Sequence, residues 1–275
     1  MNFIVCVKQV PDTTEVRIDP ETNTLIRTGV PAIINPDDAH AAEAAVQLRE
    51  RHGGTVTALS MGPPQAAEVL QRCIALGCDR GILLSDRAFA GSDTLATSYV
   101  LATAISRLIA ESPVDLVLCG KQAIDGDTAQ VGPGLAQRLG FAPLTYVTGV
   151  EELDVVTRRV RVRRRLESGI ETVESALPAL LTCVAEYSEV RYASLPNMIR
   201  AARDHPEVWT AEAIGAEKAH LGLDGSPTTV SKIFSPPTRP PGKMLAGPDA
   251  DSRLAAAAVI DQIVIAAQAL TKQAG

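Results

Sequence analysis

The sequence lacks the features of several large classes of protein. Its 275 residues have a formal net charge of −6, so there is no general excess of the Lys and Arg that neutralise phosphates in non-specific nucleic-acid binding. No stretch approaches the roughly 18 uncharged apolar residues of a membrane span. No basic region precedes an apolar one at the N-terminus, as it does in a secretory signal. We therefore expect a cytoplasmic protein that binds no nucleic acid and has no membrane span.

Cysteine and histidine are too few and too scattered for a disulfide framework or a metal site. The five cysteines are odd in number, show no CxxC spacing and lie mostly in apolar strand or helix patterns. This is typical of buried free thiols in a reducing compartment. The four histidines show no metal-ligand spacing, and we expect them to face solvent. The sequence predicts neither a metal nor a catalytic residue.

Short apolar, β-branched segments alternate with helical patterns in the rest of the chain, of which 46% is apolar. Buried parallel strands typically have this composition. Strand and helix in repeated succession predict an α/β fold with a doubly wound, mainly parallel, Rossmann-like sheet and right-handed crossovers. The predicted strands are 3–10, 55–62, 80–86, 114–120 and 178–185, and the predicted helices are 36–52, 66–74, 100–108 and 134–140.

Two hairpins and a C-terminal arm are predicted to interrupt this alternation. One hairpin is expected over 14–31, around a Pro-Glu-Thr-Asn turn, and the second joins 155–165 to 171–177. Residues 225–248 are rich in Pro and Gly and hence extended. An amphipathic helix follows, and we expect the arm and helix to reach another surface, with wrapping over their own domain as the alternative. The apolar stripe of that helix consists of Leu254, Ile260, Ile263, Val264, Ala267 and Leu270.

Polar residues follow several predicted strands, and parallel sheets bind ligands at that place. Free amides at helix starts attract anions there. Neither GxGxxG nor GxxxxGK[ST] occurs, so the usual dinucleotide fingerprint and the P-loop do not apply. The polar stretches begin at Lys8, Met61, Asp86 and Gly120, and the helix start at Asn35 is expected beside them.

Residues 91–98, GSDTLATS, combine a helix cap with two hydroxyl groups. Ser92 or Asp93 can cap the helix, while Thr94 and Thr97 lie three residues apart on one face of its first turn. Two hydroxyl donors beside free backbone amides predict a pyrophosphate clamp. Capping plus ordinary surface threonines is the alternative.

Residues 120–133, GKQAIDGDTAQVGP, follow the last strand before the helix at 134–140. Asp127 is expected to cap a helix that starts near Thr128. Asp125 and Asp127 form a DxD pair that would suit Mg²⁺, but without a third carboxylate nearby in sequence we favour the helix start as an anion site. The predicted donors are the amides of Ala129, Gln130 and Val131.

Six segments together strongly resemble the β subunit of electron transfer flavoproteins. The resemblance implies a fold like that of adenine nucleotide α-hydrolases and a heterodimer with an α subunit that carries FAD. It also implies a nucleotide-binding domain over 1–190, a partner-recognition loop with short helices over 191–224, and an arm and helix over 225–275 that pack on the α subunit. The segments are VCVKQVPD (5–12), INPDDAHAAEAA (34–45), SMGPPQA (60–66), LGCDRGILLSDRAFAGSDTLATS (76–98), GKQAIDGDTAQVGP (120–133) and RYASLPNM (191–198).

The resemblance also implies particular site residues. Leu195 matches the apolar anchor that enters a dehydrogenase partner, which fits the logic of an interface hot spot. Asp125 and Gln122 are polar contacts of the nucleotide. The implied cofactor-binding residues are Cys6, Lys8, Asn35, Asp38, Met61, Asp93, Thr94, Thr97, Gly120, Lys121, Gln122, Ala123, Asp125, Asp127, Thr128, Ala129, Gln130 and Val131.

Two branches of that family differ in the nucleotide of the β subunit. In the housekeeping branch β binds structural AMP, and a threonine that helps to hold the phosphate stands where this chain has Val131. In the electron-bifurcating and nitrogen-fixation-associated branch β binds a second FAD, whose pyrophosphate matches Thr94 and Thr97. The lack of a hydroxyl at Val131 and the presence of two hydroxyls at Thr94 and Thr97 both favour FAD here, because a pyrophosphate needs more donors than a monophosphate. AMP is the alternative.

The favoured branch implies a set of electron donors and acceptors. By family analogy the β flavin takes a hydride from NADH and releases its electrons singly. One goes to the α-subunit FAD and on to quinone oxidoreductase or an acyl-CoA or other dehydrogenase, and the other goes to ferredoxin or flavodoxin. A housekeeping carrier with AMP and a stand-alone adenine-nucleotide-binding regulator are the alternatives.

Overall fold

The computed structural model describes residues 1–12, 31–231, 256–257 and 259–265. The chain divides into two units, Met1–Ile233 and Phe234–Gly275. In the second unit the described residues are helical and exposed, so the predicted C-terminal helix is confirmed there. Leu254, Ala267 and Leu270 of its stripe lie outside the described residues. So does the predicted hairpin over 14–31, except for its last residue.

The first unit contains strands and helices in alternation, as the sequence predicts. The strands are β1 (Asn2–Cys6), β2 (Gln9–Pro11), β3 (Ala32–Ile34), β4 (Thr55–Met61), β5 (Arg80–Leu84), β6 (Leu116–Gly120), β7 (Ala142–Asp154), β8 (Arg159–Leu166), β9 (Gly169–Ala176), β10 (Ala179–Cys183) and β11 (Glu207–Trp209). The helices are α1 (Pro36–His52), α2 (Ala67–Leu76), α3 (Thr94–Glu111), α4 (Val131–Leu139) and α5 (Leu195–Arg203).

The strands form a nine-stranded sheet in the order β11-β5-β4-β1-β6-β10-β7-β8-β9. Every neighbouring pair from β11 to β7 is parallel, and the β7–β8 and β8–β9 pairs are antiparallel. The doubly wound, mainly parallel sheet is therefore confirmed. The chain runs outward from β1 through β4 to β5 and then returns to the other side of β1 as β6. This reversal creates a switch point at the carboxyl ends of β1 and β6.

The central parallel strands of the sheet are buried on both faces, which explains their near-continuous apolar sequences. Successive residues of β1 point to opposite faces, so Phe3 and Val5 pack on one core cluster while Ile4 and Cys6 pack on the other. Small alanines of α1 let that helix lie close to the first face, and the apolar stripe of α3 covers the second. The two helices thereby reach the switch point from opposite sides of the sheet.

The segment that follows β1 leaves the main sheet and returns to it. Strands β2 and β3 pair antiparallel, with Gln9 opposite Ile34 and Pro11 opposite Ala32. The amide of Asp12 also donates to the carbonyl of Pro31 at 2.8 Å. The two ends of the intervening segment are therefore held together, and α1 begins next to the end of β1.

Strands β7 and β11 are elements that the sequence reasoning missed. In β7 the side-chain alternation is broken by two irregularities in its pairing with β8 and one in its pairing with β10. Strand β11 has only three residues and lies at the edge of the sheet. Neither shows the short, unbroken apolar run that reveals the central strands.

The arginines of β8 are paired with carboxylates. Each of the five arginines of β8 has a glutamate of the neighbouring strands or of the turn after β10 within ion-pair distance. The pairs are Arg159–Glu174, Arg161–Glu152, Arg163–Glu151, Arg164–Glu171 and Arg165–Glu186. This hairpin is therefore not a patch of free positive charge.

Gly120→Ala tests the close approach of α1 to the end of β6. A Cβ at Gly120 would lie 2.5 Å from Asp38 Oδ1 and 2.7 Å from Asp37 Cβ, so we expect a loss of about 1–3 kcal/mol in the free energy of unfolding. Urea denaturation measures it. Gly126→Ala is the control, because a Cβ there meets nothing within 4 Å. Equal stability of the two variants would contradict this packing.

Candidate functional site

A cavity of about 380 Å³ lies at the switch point. Its walls are the carboxyl ends of β1, β4 and β6, the starts of α3 and α4, and the loop between β6 and α4. All the predicted nucleotide-contact residues line it except Asn35 and Asp125. The structure therefore brings together residues that are more than 100 positions apart in the chain, from Cys6 to Val131.

Asn35 and Asp125 support the wall of the cavity. The buried Asn35 donates from Nδ2 to the carbonyl of Gln122 at 2.8 Å and accepts from the amide of Ile124 at 3.0 Å. Asp125 accepts from Lys8 Nζ at 2.7 Å. The first pair of bonds shapes the loop after β6. The exposed ion pair ties that loop to the end of β1 but contributes little stability, at most about 1 kcal/mol.

The carboxyl of Asp38 joins the two central strands. Its Oδ2 accepts from the amide of Lys8 and its Oδ1 from the amide of Gly120, both at 2.8 Å. Burial raises the pKa of Asp38 to about 7, although these bonds and one from Asn35 act to lower it. A carboxyl that lines the cavity thus changes charge near neutral pH.

The start of α3 confirms Asp93 as its cap. Asp93 Oδ1 accepts from the amides of Leu95 and Ala96 at 2.9 and 3.0 Å. Thr94 and Thr97 both line the cavity from the first turn. The sequence predicts free backbone amides beside these hydroxyls, and this prediction is wrong for two of them. The amides of Leu95 and Ala96 already donate to the Asp93 carboxylate. Donors on this side are therefore mainly the two hydroxyls.

Asp93 also binds the first residues of the predicted C-terminal arm. Its Oδ2 accepts from Thr228 Oγ1 at 2.7 Å and from the Thr228 amide at 3.2 Å. Its own amide donates to Ser226 Oγ at 2.8 Å. Burial acts to raise the pKa of Asp93, but its several hydrogen bonds together lower it. The carboxylate therefore stays ionised and its charge is largely satisfied within the chain.

The expected cap at Asp127 is wrong. Helix α4 begins at Val131 rather than near Thr128, and its N-cap is Gln130, with no side-chain cap bond. Asp127 and Ala129 adopt positive φ, 51° and 54°, which turns the chain away from helical geometry before Val131. Asp127 instead accepts from Gln122 Nε2. Because the helix begins later than predicted, the candidate anion site consists of the first amides of α4.

The start of α4 lies directly against the sheet. A Cβ at Gly132 would stand 2.7 Å from Thr182 Cγ2 and 3.0 Å from Cys119 Sγ. Only glycine allows this approach. The amides of Val131 and Gly132 have no intrahelical acceptor at this position, and Pro133 has no amide. The helix start therefore offers two adjacent backbone donors at the cavity.

The sequence reasoning missed the apolar floor of the cavity. These side chains are alike in being apolar and buried, so sequence alone does not distinguish them from the core. Leu101 could have been found, because helical periodicity places it on the face of Thr94 and Thr97. The missed apolar lining residues are Val7, Phe89, Leu101 and Cys119.

The five cysteines are buried free thiols, as predicted. Cys6 and Cys119 are register partners on β1 and β6, and both line the cavity. Burial raises the pKa of Cys6 to about 12, so its thiol is neutral at ordinary pH. Burial likewise raises the pKa of Cys119. These groups form an uncharged floor and are poor nucleophiles.

The described residues contain no cluster of three or more His, Cys, Asp or Glu side chains that could hold a metal ion. Among the same residues, no helix is both long and apolar enough to cross a bilayer. The expectation of solvent-facing histidines is wrong for His40 and His52, which are half-buried. The Nδ1 atom of His40 lies 2.6 Å from the carbonyl oxygen of Ser188.

Leu195 lies at the start of α5 and is 69% exposed. Arg191 holds the preceding loop against α1 by contacts to the buried Glu43 at 2.8 Å and to Glu50 at 2.6 Å. Ser194 caps the helix through the amide of Asn197. The exposed leucine therefore lies on a segment that ion pairs hold against α1 and that continues into a capped helix.

Known proteins are similar to this chain over most of its length. Residues 22–214 match the electron transfer flavoprotein domain. The chain is 49% identical to Protein FixA of Azotobacter vinelandii over 87% of this chain and 85% of that protein. It is 49% identical to subunit CarD of the caffeyl-CoA reductase-Etf complex of Acetobacterium woodii, over 90% and 92%. It is 46% identical to the electron transfer flavoprotein subunit beta of Clostridium acetobutylicum, over 96% and 98%.

Asp38→Asn tests the titration of the buried carboxyl. Because the folded-state pKa is raised to about 7, the folded chain keeps a proton that the unfolded chain loses above about pH 4. This contribution to stability is present below pH 4 and is lost as the pH rises to 7. We expect Asp38→Asn to remove that fall, measured as the free energy of unfolding from pH 4 to 8.

The exposed Asp204→Asn is the control, since it keeps the buried carboxyl and should keep the wild-type slope. Asn presents an amide group to one of the two backbone donors and so lowers stability at every pH. The change in slope is therefore the informative quantity. A wild-type slope in Asp38→Asn would show that Asp38 does not titrate in this range.

Proposed function

We propose, because the chain belongs to the electron transfer flavoprotein family, that it binds FAD in the switch-point cavity and passes electrons to the FAD of an α subunit. The chain is a β-like electron-transfer subunit of that family. Its proposed partners are the α subunit, NADH, a dehydrogenase, quinone oxidoreductase, and ferredoxin or flavodoxin. We also propose that the chain takes part in electron bifurcation.

The observation that carries FAD is the convergence of donors from two helix starts. Thr94 and Thr97 line one wall with hydroxyls, and the first amides of α4 lie in the other. Two lysines, Lys8 and Lys121, also line the cavity. Hydroxyls, amides and ammonium groups together suit the several oxygens of a pyrophosphate better than those of a single phosphate. The cavity volume is within the range of small-molecule sites, about 300–1,000 Å³.

The carboxylates of the cavity do not oppose this proposal. Asp93 is bonded to Leu95, Ala96 and Thr228, and Asp127 accepts from Gln122. Asp38 is partly protonated near pH 7. The carboxylates of the walls therefore already accept hydrogen bonds from the chain itself, and one of them is partly uncharged.

Bound FAD supplies the hydride acceptance and single-electron release on which the family's electron transfer depends. The residues of this chain bind and shield it. Thr94, Thr97 and the α4 amides hold the phosphates, and the uncharged floor with Phe89 and Leu101 excludes water from the inner part of the cavity.

A housekeeping electron carrier with AMP is the second candidate. One observation favours it: the Asp93 carboxylate occupies two amides of α3, which lowers the number of backbone donors on that wall. The start of α4 alone would then hold a single phosphate. Against it stands Val131, which offers a backbone amide but no hydroxyl.

Replacement of Thr94 and Thr97 by valine together tests the FAD proposal. Each hydroxyl that donates to a charged phosphate contributes roughly 1.5–3 kcal/mol, so the double variant should lose most of its flavin. The flavin content of the purified chain, from its absorbance after denaturation, measures this. Thr103→Val lies on the same helix outside the cavity lining and should retain flavin. Full flavin content in the double variant would refute the clamp.

Leu195→Ala tests the proposed partner anchor. Loss of an apolar anchor that contributes about 2 kcal/mol should raise the KM for the partner by more than tenfold and leave flavin content unchanged. The rate of electron transfer with candidate dehydrogenases measures it. Val156→Ala removes an even more exposed aliphatic side chain at a hairpin turn and serves as the control. Identical kinetics for the two variants with every candidate would remove Leu195 from this role.

A further inference from the structure

A bulge in β7 places one tyrosine in a strained conformation close to the cavity. Leu144 pairs with Leu181 and Val147 with Cys183, so β7 has one more residue than β10 over this interval. The extra residue gives Tyr146 a φ of 57°, in the left-handed region that bulky residues rarely occupy. Bulges of this kind often redirect a side chain beside a functional site.

Side chains on both neighbouring strands hold the bulge. From β10, Oγ1 of the buried Thr182 accepts a hydrogen bond from the Tyr146 amide, with 3.0 Å between the two atoms. From β8, Arg164 donates to the carbonyl oxygen of Thr145 at 2.9 Å and to its Oγ1 at 2.7 Å. Glu171 in turn pairs with Arg164 at 3.1 Å. A strained residue persists only where its surroundings determine it in this way.

The bulge brings the tyrosine ring to a cavity residue. The ring of Tyr146 is partly exposed, and Lys121 Nζ lies 5.9 Å from its centroid, within the range of a cation–π contact. The Lys121 amide donates to the Cys183 carbonyl at 2.8 Å, so the backbones of both partners are bonded to β10. The carboxyl of Asp37 also faces Lys121: burial raises its pKa, and the lysine acts to lower it.

We propose that Tyr146 is a positioning residue that holds the Lys121 ammonium at the cavity, where it contacts a phosphate of the bound nucleotide. The proposal rests on the proposed function for the identity of the anion. Tyr146 itself touches no ligand. A role of the exposed ring as a contact for a partner protein is a different hypothesis, and it predicts that the position of Lys121 does not depend on the ring.

The contact between the Lys121 ammonium and the Tyr146 ring is tested without any ligand. The lysines of the full-length chain are dimethylated with ¹³C, which keeps their charge, and Lys121→Arg assigns the Lys121 resonance. A ring current should shift this resonance upfield in the wild type and in Tyr146→Phe, and the shift should be lost in Tyr146→Leu. An unchanged resonance in Tyr146→Leu would overturn the proposal.

The effect on binding is tested with FAD and with AMP by titration calorimetry. Tyr146→Leu should weaken binding about two- to fivefold, as expected for a partly exposed cation–π contact, and Tyr146→Phe should bind as the wild type does. In a Lys121→Met background, Tyr146→Leu should cause no further weakening. Equal weakening in both backgrounds, or none in either, would overturn the positioning role.

The same titrations separate this proposal from the proposed function. A wild-type chain that binds neither nucleotide refutes the proposed function, and the nucleotide role of Tyr146 falls with it. A wild-type chain that binds normally, beside a Tyr146→Leu variant of equal affinity, refutes only the role of Tyr146.

Discussion

The Asp38 carboxyl accepts hydrogen bonds from the amides of Lys8 and Gly120. These bonds join the ends of β1 and β6, where the strand order of the sheet reverses. Asp38 lies in the first turn of α1, and the backbone approach that these bonds need is possible because residue 120 is glycine. Since β1 and β6 diverge in their connections at this point, a cavity forms above their ends. The helix starts, the loop after β6 and the uncharged floor of Cys6 and Cys119 all lie around these joined strand ends.

The two helix starts that face the cavity differ in their chemistry. Asp93 caps α3 and also binds the segment at Thr228, so this wall offers hydroxyls rather than amides. Helix α4 has no side-chain cap, and its first amides remain available. One wall therefore supplies hydroxyl donors and the other backbone donors. This division is the reason why we propose a ligand with more than one phosphate.

Much of this arrangement could be predicted from sequence, because apolar strands and helix caps leave local patterns. The central parallel strands, the Asp93 cap and the gathering of strand-end residues follow from such patterns. The start of α4 could not be predicted, since a positive φ is uncommon at non-glycine residues and the sequence does not require it at Asp127 or Ala129. Strand β7 was missed because its bulges break the alternation, and the apolar floor resembles ordinary core.

The central claim is that this chain carries its own FAD beside the FAD of an α subunit. The most direct measurement is to purify the chain with its co-expressed α partner, denature the complex and quantify the released nucleotides by chromatography. The account predicts two FAD per heterodimer and no AMP. One FAD with one AMP per heterodimer would contradict it.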